Sequence, residues 1–268
     1  MTPSFVHIDW QGRNVRIEHQ WLNAHLADAP LLVFLHEGLG SVAMWREYPQ
    51  HLCDALGVRG LVYSRPAYGQ STAREANEHW APDFMHRQAH EVLPALLQAL
   101  DVRDAPWIFG HSDGGSIALL YATRHKVAGV MVMAPHIMVE DISITSIALA
   151  KHAYETTDLR QRLTRYHADV DSAFWGWNRI WLAPEFRSWS IENELSSITC
   201  PVLAIQGIND EYGSLAQIRN IQRQVHQTEL LELKDCGHSP HRDQPQALTH
   251  ACLKFVGANT PNALTVKG

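Results

Sequence analysis

The chain has few cysteines and lacks any apolar run long enough to cross a membrane as a helix. Its four cysteines, at positions 53, 200, 236 and 252 of 268, include no C-x-x-C pair. This spacing predicts neither a disulfide framework nor a metal site, and we interpret all four as reduced core residues. No stretch approaches the roughly 20 apolar residues of a membrane-spanning helix, so no membrane partner is expected.

Positive charge is scarce as well. The 22 lysines and arginines are outnumbered by 28 acidic residues, which gives a net charge of −6 without any basic stripe. This balance excludes nucleic acid as an expected partner. The N-terminal segment lacks the cationic start and apolar stretch of a secretory signal, so we expect a cytoplasmic protein. The composition leaves the oligomeric state open.

Apolar runs alternate with helical patterns along most of the chain, which is typical of an α/β fold. Strands are predicted at 5–10 and 14–18 as a hairpin, and then at 31–35, 60–63, 106–109, 127–133, 201–205 and 229–233. Helices are predicted at 45–56, 84–100 (with Asp83 as the N-terminal cap), 215–225 and 245–256. This alternation favours a mostly parallel central sheet flanked by helices.

The stretch 136–197 interrupts the alternation. It shows helical patterns without a convincing strand, and it holds four of the nine tryptophans. We interpret it as a helical cap inserted into a core that comprises residues 1–135 and 198–268. The tail at 259–268 is expected to be loose.

A G-x-S-x-G pentapeptide stands between the predicted strand 106–109 and a helix pattern that begins near residue 116. Gly110 and Gly114 would permit a sharp turn that exposes the hydroxyl of Ser112. The helix N-terminus behind this turn favours negative charge. The context therefore predicts Ser112 as a nucleophile that attacks a carbonyl carbon.

Histidines are abundant, and most of the 17 are expected on the surface or in loops. His238 follows the last predicted strand and is the best candidate for the base that activates Ser112, with His241 as the weaker alternative. Asp210 follows another buried strand and is the candidate partner of that histidine. Glu211, and then Asp141, are less suitable acids.

An oxyanion hole requires two backbone N–H groups beside the nucleophile. One is predicted at Asp113, directly after Ser112. The second is predicted in the glycine-containing loop after strand 31–35, at Gly38 or alternatively at Leu39.

These residues together resemble the α/β-hydrolase family, in the branch of serine hydrolases that carry a cap. The segment from Tyr63 to Ser71 is similar to the family's R-P-G-x-G-x-S motif, with Ala67 in place of a glycine. The resemblance implies that Ser112, Asp210 and His238 form a catalytic triad, whereas Arg65 is structural. It also implies a small-molecule substrate, no cofactor and no metal.

The resemblance leaves the activity open among several classes. Carboxylic ester hydrolysis through an acyl-enzyme is favoured. C–C bond hydrolysis of a vinylogous diketone and amine-directed cleavage of amino-acid esters or N-terminal prolyl peptides are the enzymatic alternatives. The remaining alternative is a binding protein without catalytic activity.

Two acidic residues depart from the common family pattern. Glu37 follows His36 where many relatives have glycine, and Asp113 follows the nucleophile. One hypothesis is that Asp113, together with Glu37, binds a substrate amine. The other is that Asp113 only benefits from the dipole at a helix start.

Aromatic residues of the cap are candidates for the substrate pocket. We expect Trp175 or Trp177 to face it, because ligand sites are mostly apolar. His136, after strand 127–133, borders the site under one interpretation and is purely structural under the other. Trp45 is expected in the core.

Overall fold

Eight strands form one sheet in the computed structural model, which describes residues 4–75 and 77–260. Their order is β1-β2-β4-β3-β5-β6-β7-β8. β1 is antiparallel to β2 and β2 to β4, whereas the other neighbours are parallel. The mostly parallel sheet predicted from the sequence is thus confirmed. The strands are β1 (Ser4–Trp10), β2 (Arg13–Leu22), β3 (Leu31–Leu35), β4 (Arg59–Tyr63), β5 (Trp107–His111), β6 (Gly129–Met133), β7 (Val202–Gly207) and β8 (Thr228–Leu233).

Helices cover both faces of the sheet. They are α1 (Tyr48–Leu56), α2 (Phe84–Arg87), α3 (Leu93–Ala99), α4 (Asp113–Arg124), α5 (Asp141–Thr156), α6 (Leu159–Leu163), α7 (Val170–Trp181), α8 (Ala216–Gln224), α9 (Pro240–Asp243) and α10 (Pro245–Asn259). Short 3-10 turns lie at Ala43–Trp45, Pro184–Phe186 and Glu192–Ser197.

The helix predicted at 84–100 contains a π-helical turn. Gln88–Val92 widens the helix between α2 and α3. The prediction that the side chain of Asp83 caps this helix is wrong: its carboxylate instead accepts a hydrogen bond from Arg87 Nε at 2.8 Å. A cationic partner one turn away on the same face competes with the backbone amides for that carboxylate.

The central strands are buried on both faces. Val33 of β3 packs into one apolar cluster and its neighbour Phe34 into another, because successive side chains of a strand point to opposite faces. Ile108 and Phe109 of β5 divide in the same way. The long apolar runs in the sequence are therefore explained by two cores that share one sheet.

The segment between β6 and β7 is helical, and its residues 136–197 are called the helical insertion below. It contains α5, α6 and α7, and its ends meet at an isolated antiparallel bridge between Met138 and Ser190. At the C-terminus, α10 extends through Asn259, so the predicted loose tail begins too early. The rest of that tail, from residue 261, lies outside the described residues.

No helix among the described residues is long and apolar enough to span a bilayer.

Candidate active site

Ser112 lies on the sharp turn that joins β5 to α4. Its φ of 53° and ψ of −122° are unusual for a residue with a side chain. A Cβ at Gly110 would come within 2.3 Å of the Gly114 carbonyl oxygen, and one at Gly114 within 2.2 Å of Leu35 O. Glycine is therefore required on both sides of the turn, as the pentapeptide predicts.

Ser112, His238 and Asp210 form a continuous chain of hydrogen bonds. Ser112 Oγ lies 3.0 Å from His238 Nε2, and His238 Nδ1 lies 2.8 Å from Asp210 Oδ1. The amide of Tyr212 also donates to Asp210 Oδ1 at 2.8 Å, and Gln206 Nε2 donates to Oδ2 at 3.0 Å. Burial is the largest effect on Asp210 and opposes its ionisation, but the hydrogen bond and charge of His238, together with the Tyr212 amide and His136, outweigh it and lower the pKa of Asp210.

The alternative base and acids lie elsewhere. His241 is buried, with its ring 5.3 Å from that of Trp45. Glu211 accepts the backbone N–H of His238 at 3.2 Å rather than its ring. Asp141 lies in the exposed first turn of α5. Geometry thus favours His238 and Asp210, and their catalytic roles stay a prediction.

The peptide between Glu37 and Gly38 is held from its carbonyl side. The carbonyl oxygen of Glu37 accepts hydrogen bonds from Arg65 Nη2 at 2.8 Å and from His36 Nδ1 at 2.7 Å. His36 Nε2 accepts the amide of Arg65 at 3.0 Å, so the proton of neutral His36 lies on Nδ1. Burial, together with the charge of Arg65, lowers the pKa of His36 well below its usual value. Because a trans peptide directs N–H opposite to C=O, the Gly38 amide points away from Arg65.

The helical insertion directly contacts residues 36–41, the loop after β3 for which the second oxyanion donor is predicted and which is called the oxyanion loop below. His167 Nε2 donates to the carbonyl of Leu39 at 3.0 Å, and its Nδ1 accepts the amide of Gly69 at 3.0 Å. A Cβ at Gly38 would lie only 2.2 Å from Trp177 Nε1, so the indole of Trp177 rests on the loop.

Asp113 is buried at the start of α4, with 1% of its surface exposed. Trp181 Nε1 donates to its Oδ1 at 3.2 Å, and Arg65 Nη2 lies 4.0 Å from its Oδ2, which has no hydrogen-bond partner. Burial raises the pKa of Asp113, against the lowering effect of Arg65. The Glu37 carboxylate does not share these neighbours of Asp113. It lies 3.5 Å from His111 Nδ1 and 3.9 Å from Arg242 Nη2.

Of the other predicted pocket residues, His136 lies beside the triad and Trp175 does not. The ring of His136 is centred 5.8 Å from that of His238, and burial lowers its pKa to about 3. Trp175 instead lines a surface cleft of about 170 Å³ with Trp80 and Arg179. Positions 175 and 177 are two residues apart on α7, or about 200° around the helix, so they face different directions.

The sequence interpretation missed several contributors to this arrangement. Trp181 follows Trp177 by four residues and shares its side of α7, which was a usable signal. Six of the 17 histidines, a minority, are buried, and they include contributors that the sequence did not single out; they are His19, His36, His111, His136, His167 and His241. No group of three His, Cys, Asp or Glu side chains in the described part of the chain is arranged to hold a metal ion.

Comparison with known proteins identifies the family. No curated protein sequence matches the chain. Among solved structures, it is similar to a thermophilic esterase from Thermogutta terrifontis, at 15% identity, with a TM-score of 0.71 over 97% of this chain and 100% of that one. An enol-lactonase from Burkholderia xenovorans is 19% identical, with a TM-score of 0.73 over 94% of this chain and 99% of that one. A carboxylesterase structure from Nitrososphaera gargenis is 18% identical, with a TM-score of 0.74 over 94% of this chain and 98% of that one. The model of the alpha/beta hydrolase family matches residues 32–251, and the chain therefore belongs to that family.

Proposed function

We propose that the protein is a serine hydrolase that cleaves a small-molecule carboxylic ester through an acyl-enzyme. The observation that carries this proposal is the chain of hydrogen bonds from Ser112 Oγ through His238 to Asp210. The esterase and carboxylesterase structures of the same fold support an ester as the substrate class.

The mechanism follows from these atoms. His238 Nε2 accepts the Ser112 proton as Oγ attacks the ester carbonyl, and Asp210 stabilises the imidazolium that forms. The amides of Asp113 and Gly38 donate to the oxyanion, with Leu39 as the alternative second donor. His238 then protonates the departing alcohol. A water activated by the same imidazole cleaves the acyl-enzyme and regenerates Ser112.

We further propose that residues 136–197 act as a cap over this site, on a core formed by residues 1–135 and 198–268. Trp177 against Gly38 and Trp181 on Asp113 support this assignment. Ser112 is only 6% exposed, as expected for a nucleophile beneath such a cap.

Kinetics with a panel of p-nitrophenyl esters tests the proposal. Ser112→Ala and His238→Ala should each lower kcat at least about a thousandfold. A fluorophosphonate probe should label Ser112 in the wild type. Wild-type turnover by Ser112→Ala, or no labelling of folded protein, would contradict the proposed mechanism.

Oδ2 of buried Asp113, which lacks a hydrogen-bond partner, favours one second candidate, a hydrolase of α-amino esters or N-terminal prolyl peptides. A substrate ammonium close to this oxygen would add a favourable charge interaction in a site shielded from water. Comparison of an α-amino ester with its des-amino analogue tests this specificity. Equal kcat/KM for the two would remove the candidate, and Asp113 would then be a structural partner of Arg65.

A further inference from the structure

His111 is a buried histidine beside the triad that the proposed mechanism does not use. It is the last residue of β5, directly before Ser112, and it is 1% exposed. Its ring centre lies 5.2 Å from that of His238. Any role must therefore act through its neighbours.

One nitrogen of His111 holds the backbone of the proposed base. His111 Nε2 lies 2.7 Å from the carbonyl oxygen of His238. A carbonyl only accepts hydrogen bonds, so Nε2 carries the proton and donates it. On the opposite side of the same residue, the N–H of His238 is held by Glu211. Both polar backbone groups of His238 are thus fixed by side chains.

The other nitrogen of His111 faces the oxyanion loop. Nδ1 lies 3.5 Å from Glu37 Oε2. The interaction with His111 contributes to a pKa of Glu37 far below the usual value, in spite of the opposing effect of burial. Glu37 is therefore a carboxylate beside the His111 ring, although Nδ1 itself makes no hydrogen bond. Arg242, which follows His238 on α9, lies 3.9 Å from the other oxygen of Glu37.

We propose that His111 and Glu37 are positioning residues for the hydrolysis proposed above. The His111 imidazole joins the turn with Ser112 to the loop with His238, and the Glu37 carboxylate lies against this ring from the loop with Gly38. Small displacements between reacting groups have large effects on rate, so this link acts on the chemical step rather than on substrate binding. The inference rests on the proposed function. Of the two residues, Glu37 is the one that departs from the common family pattern.

A pair of amide substitutions tests the link. In His111→Gln the amide nitrogen lies near the position of Nε2 and still reaches the His238 carbonyl, whereas in His111→Asn it falls short. We expect the rate of fluorophosphonate labelling and kcat to fall about 10- to 100-fold in His111→Asn and less than about threefold in His111→Gln, with KM within about threefold in both. Glu37→Gln should lose about 3- to 10-fold in kcat. His19→Asn, at a buried histidine of β2, is the matched control and should retain the wild-type kcat.

The outcomes separate the two proposals. Wild-type protein that is not labelled at Ser112 overturns the proposed function, and this inference with it. Labelled wild type together with an unaffected His111→Asn overturns the inference alone. Equal losses of kcat in His111→Asn and His111→Gln, measured on variants that are folded by near-UV circular dichroism, also overturn it, because they indicate a packing role.

Discussion

At the scale of residues, one buried cation serves a backbone carbonyl and a carboxylate. Arg65 donates to the Glu37 carbonyl and lies close to the Asp113 carboxylate. Removing the cation leaves a buried charge without compensation, which typically costs about 3–5 kcal/mol. The oxyanion loop and the stability of the fold therefore share one side chain.

Arg65→Met should destabilise the protein, and Asp113→Asn should partly reverse the loss in the double variant. The physical reason is that a neutral amide at position 113 no longer needs a counter-charge. Urea unfolding of the wild type, both single variants and the double variant measures the coupling, which we expect at about 0.5–3 kcal/mol. Strictly additive effects would contradict the pairing.

Gly38→Ala should abolish most of the proposed esterase activity. The new methyl group would lie 2.2 Å from Trp177 Nε1, so either the loop or the tryptophan must move. Gly257→Ala is the matched control, because a Cβ there meets no atom within 4 Å. Kinetics with a p-nitrophenyl ester checks both variants, and an unchanged kcat in Gly38→Ala would show that the loop tolerates the shift.

The residues that could be predicted from the sequence are those with a local signature. Ser112 is flanked by glycines, Asp210 follows the buried strand β7 and His238 follows the edge strand β8, so the parallel sheet gathers them at one end of its strands. The link from His111 to the His238 carbonyl spans 126 intervening positions and carries no local signal. Predicting this hydrogen bond would require knowing how the loops are arranged in three dimensions.

At the scale of elements, strands were predicted more accurately than helices. A buried strand such as β3 has a continuous apolar run whose limits match the structure. The π-helical turn at Gln88–Val92 and the orientation of α7 were not foreseen, since they depend on packing against neighbouring elements. Trp175 was accordingly assigned to the pocket, although Trp177 and Trp181 face the site.

His167 connects the helical insertion to two loops of the core. His167→Ala removes its hydrogen bonds with Gly69 and Leu39, so both loops should become more mobile. Hydrogen exchange followed by mass spectrometry should show faster exchange in peptides that cover residues 36–42 and 66–71. His152→Ala, at an exposed position of α5, should leave this exchange unchanged. Equal exchange in both variants would argue against such a connection.

At the scale of the whole molecule, buried neutral histidines make stability depend on pH. Burial lowers the pKa of His136 and of His241 to about 3. Below about pH 6.5 the unfolded chain binds protons at these positions that the folded chain does not. Stability should therefore be full above pH 6.5 and fall as the pH decreases towards 3. The raised pKa of Asp113 acts in the opposite direction at a single position.

Urea unfolding at pH 7.5, 6.0 and 5.0 measures this dependence. Each of the two histidines should contribute up to about 1.4 kcal/mol per pH unit. The double variant His136→Asn/His241→Asn should show a flatter profile than the wild type. An unchanged profile would mean that these imidazoles are not the groups that titrate.

The narrow base of the helical insertion has a consequence for protein engineering. Its two ends are bridged by hydrogen bonds from Val139 to Trp189 and from Ile191 to Ile137, so the insertion leaves and re-enters the molecule at nearly one point. Segments whose ends meet in this way can be exchanged at small cost in chain entropy. A chimera joined at this base should retain the strand order, while a donor segment without a counterpart of Trp181 would leave Asp113 with one donor fewer. Transplanted segments of this kind would give a route to new substrate preferences on an unchanged scaffold.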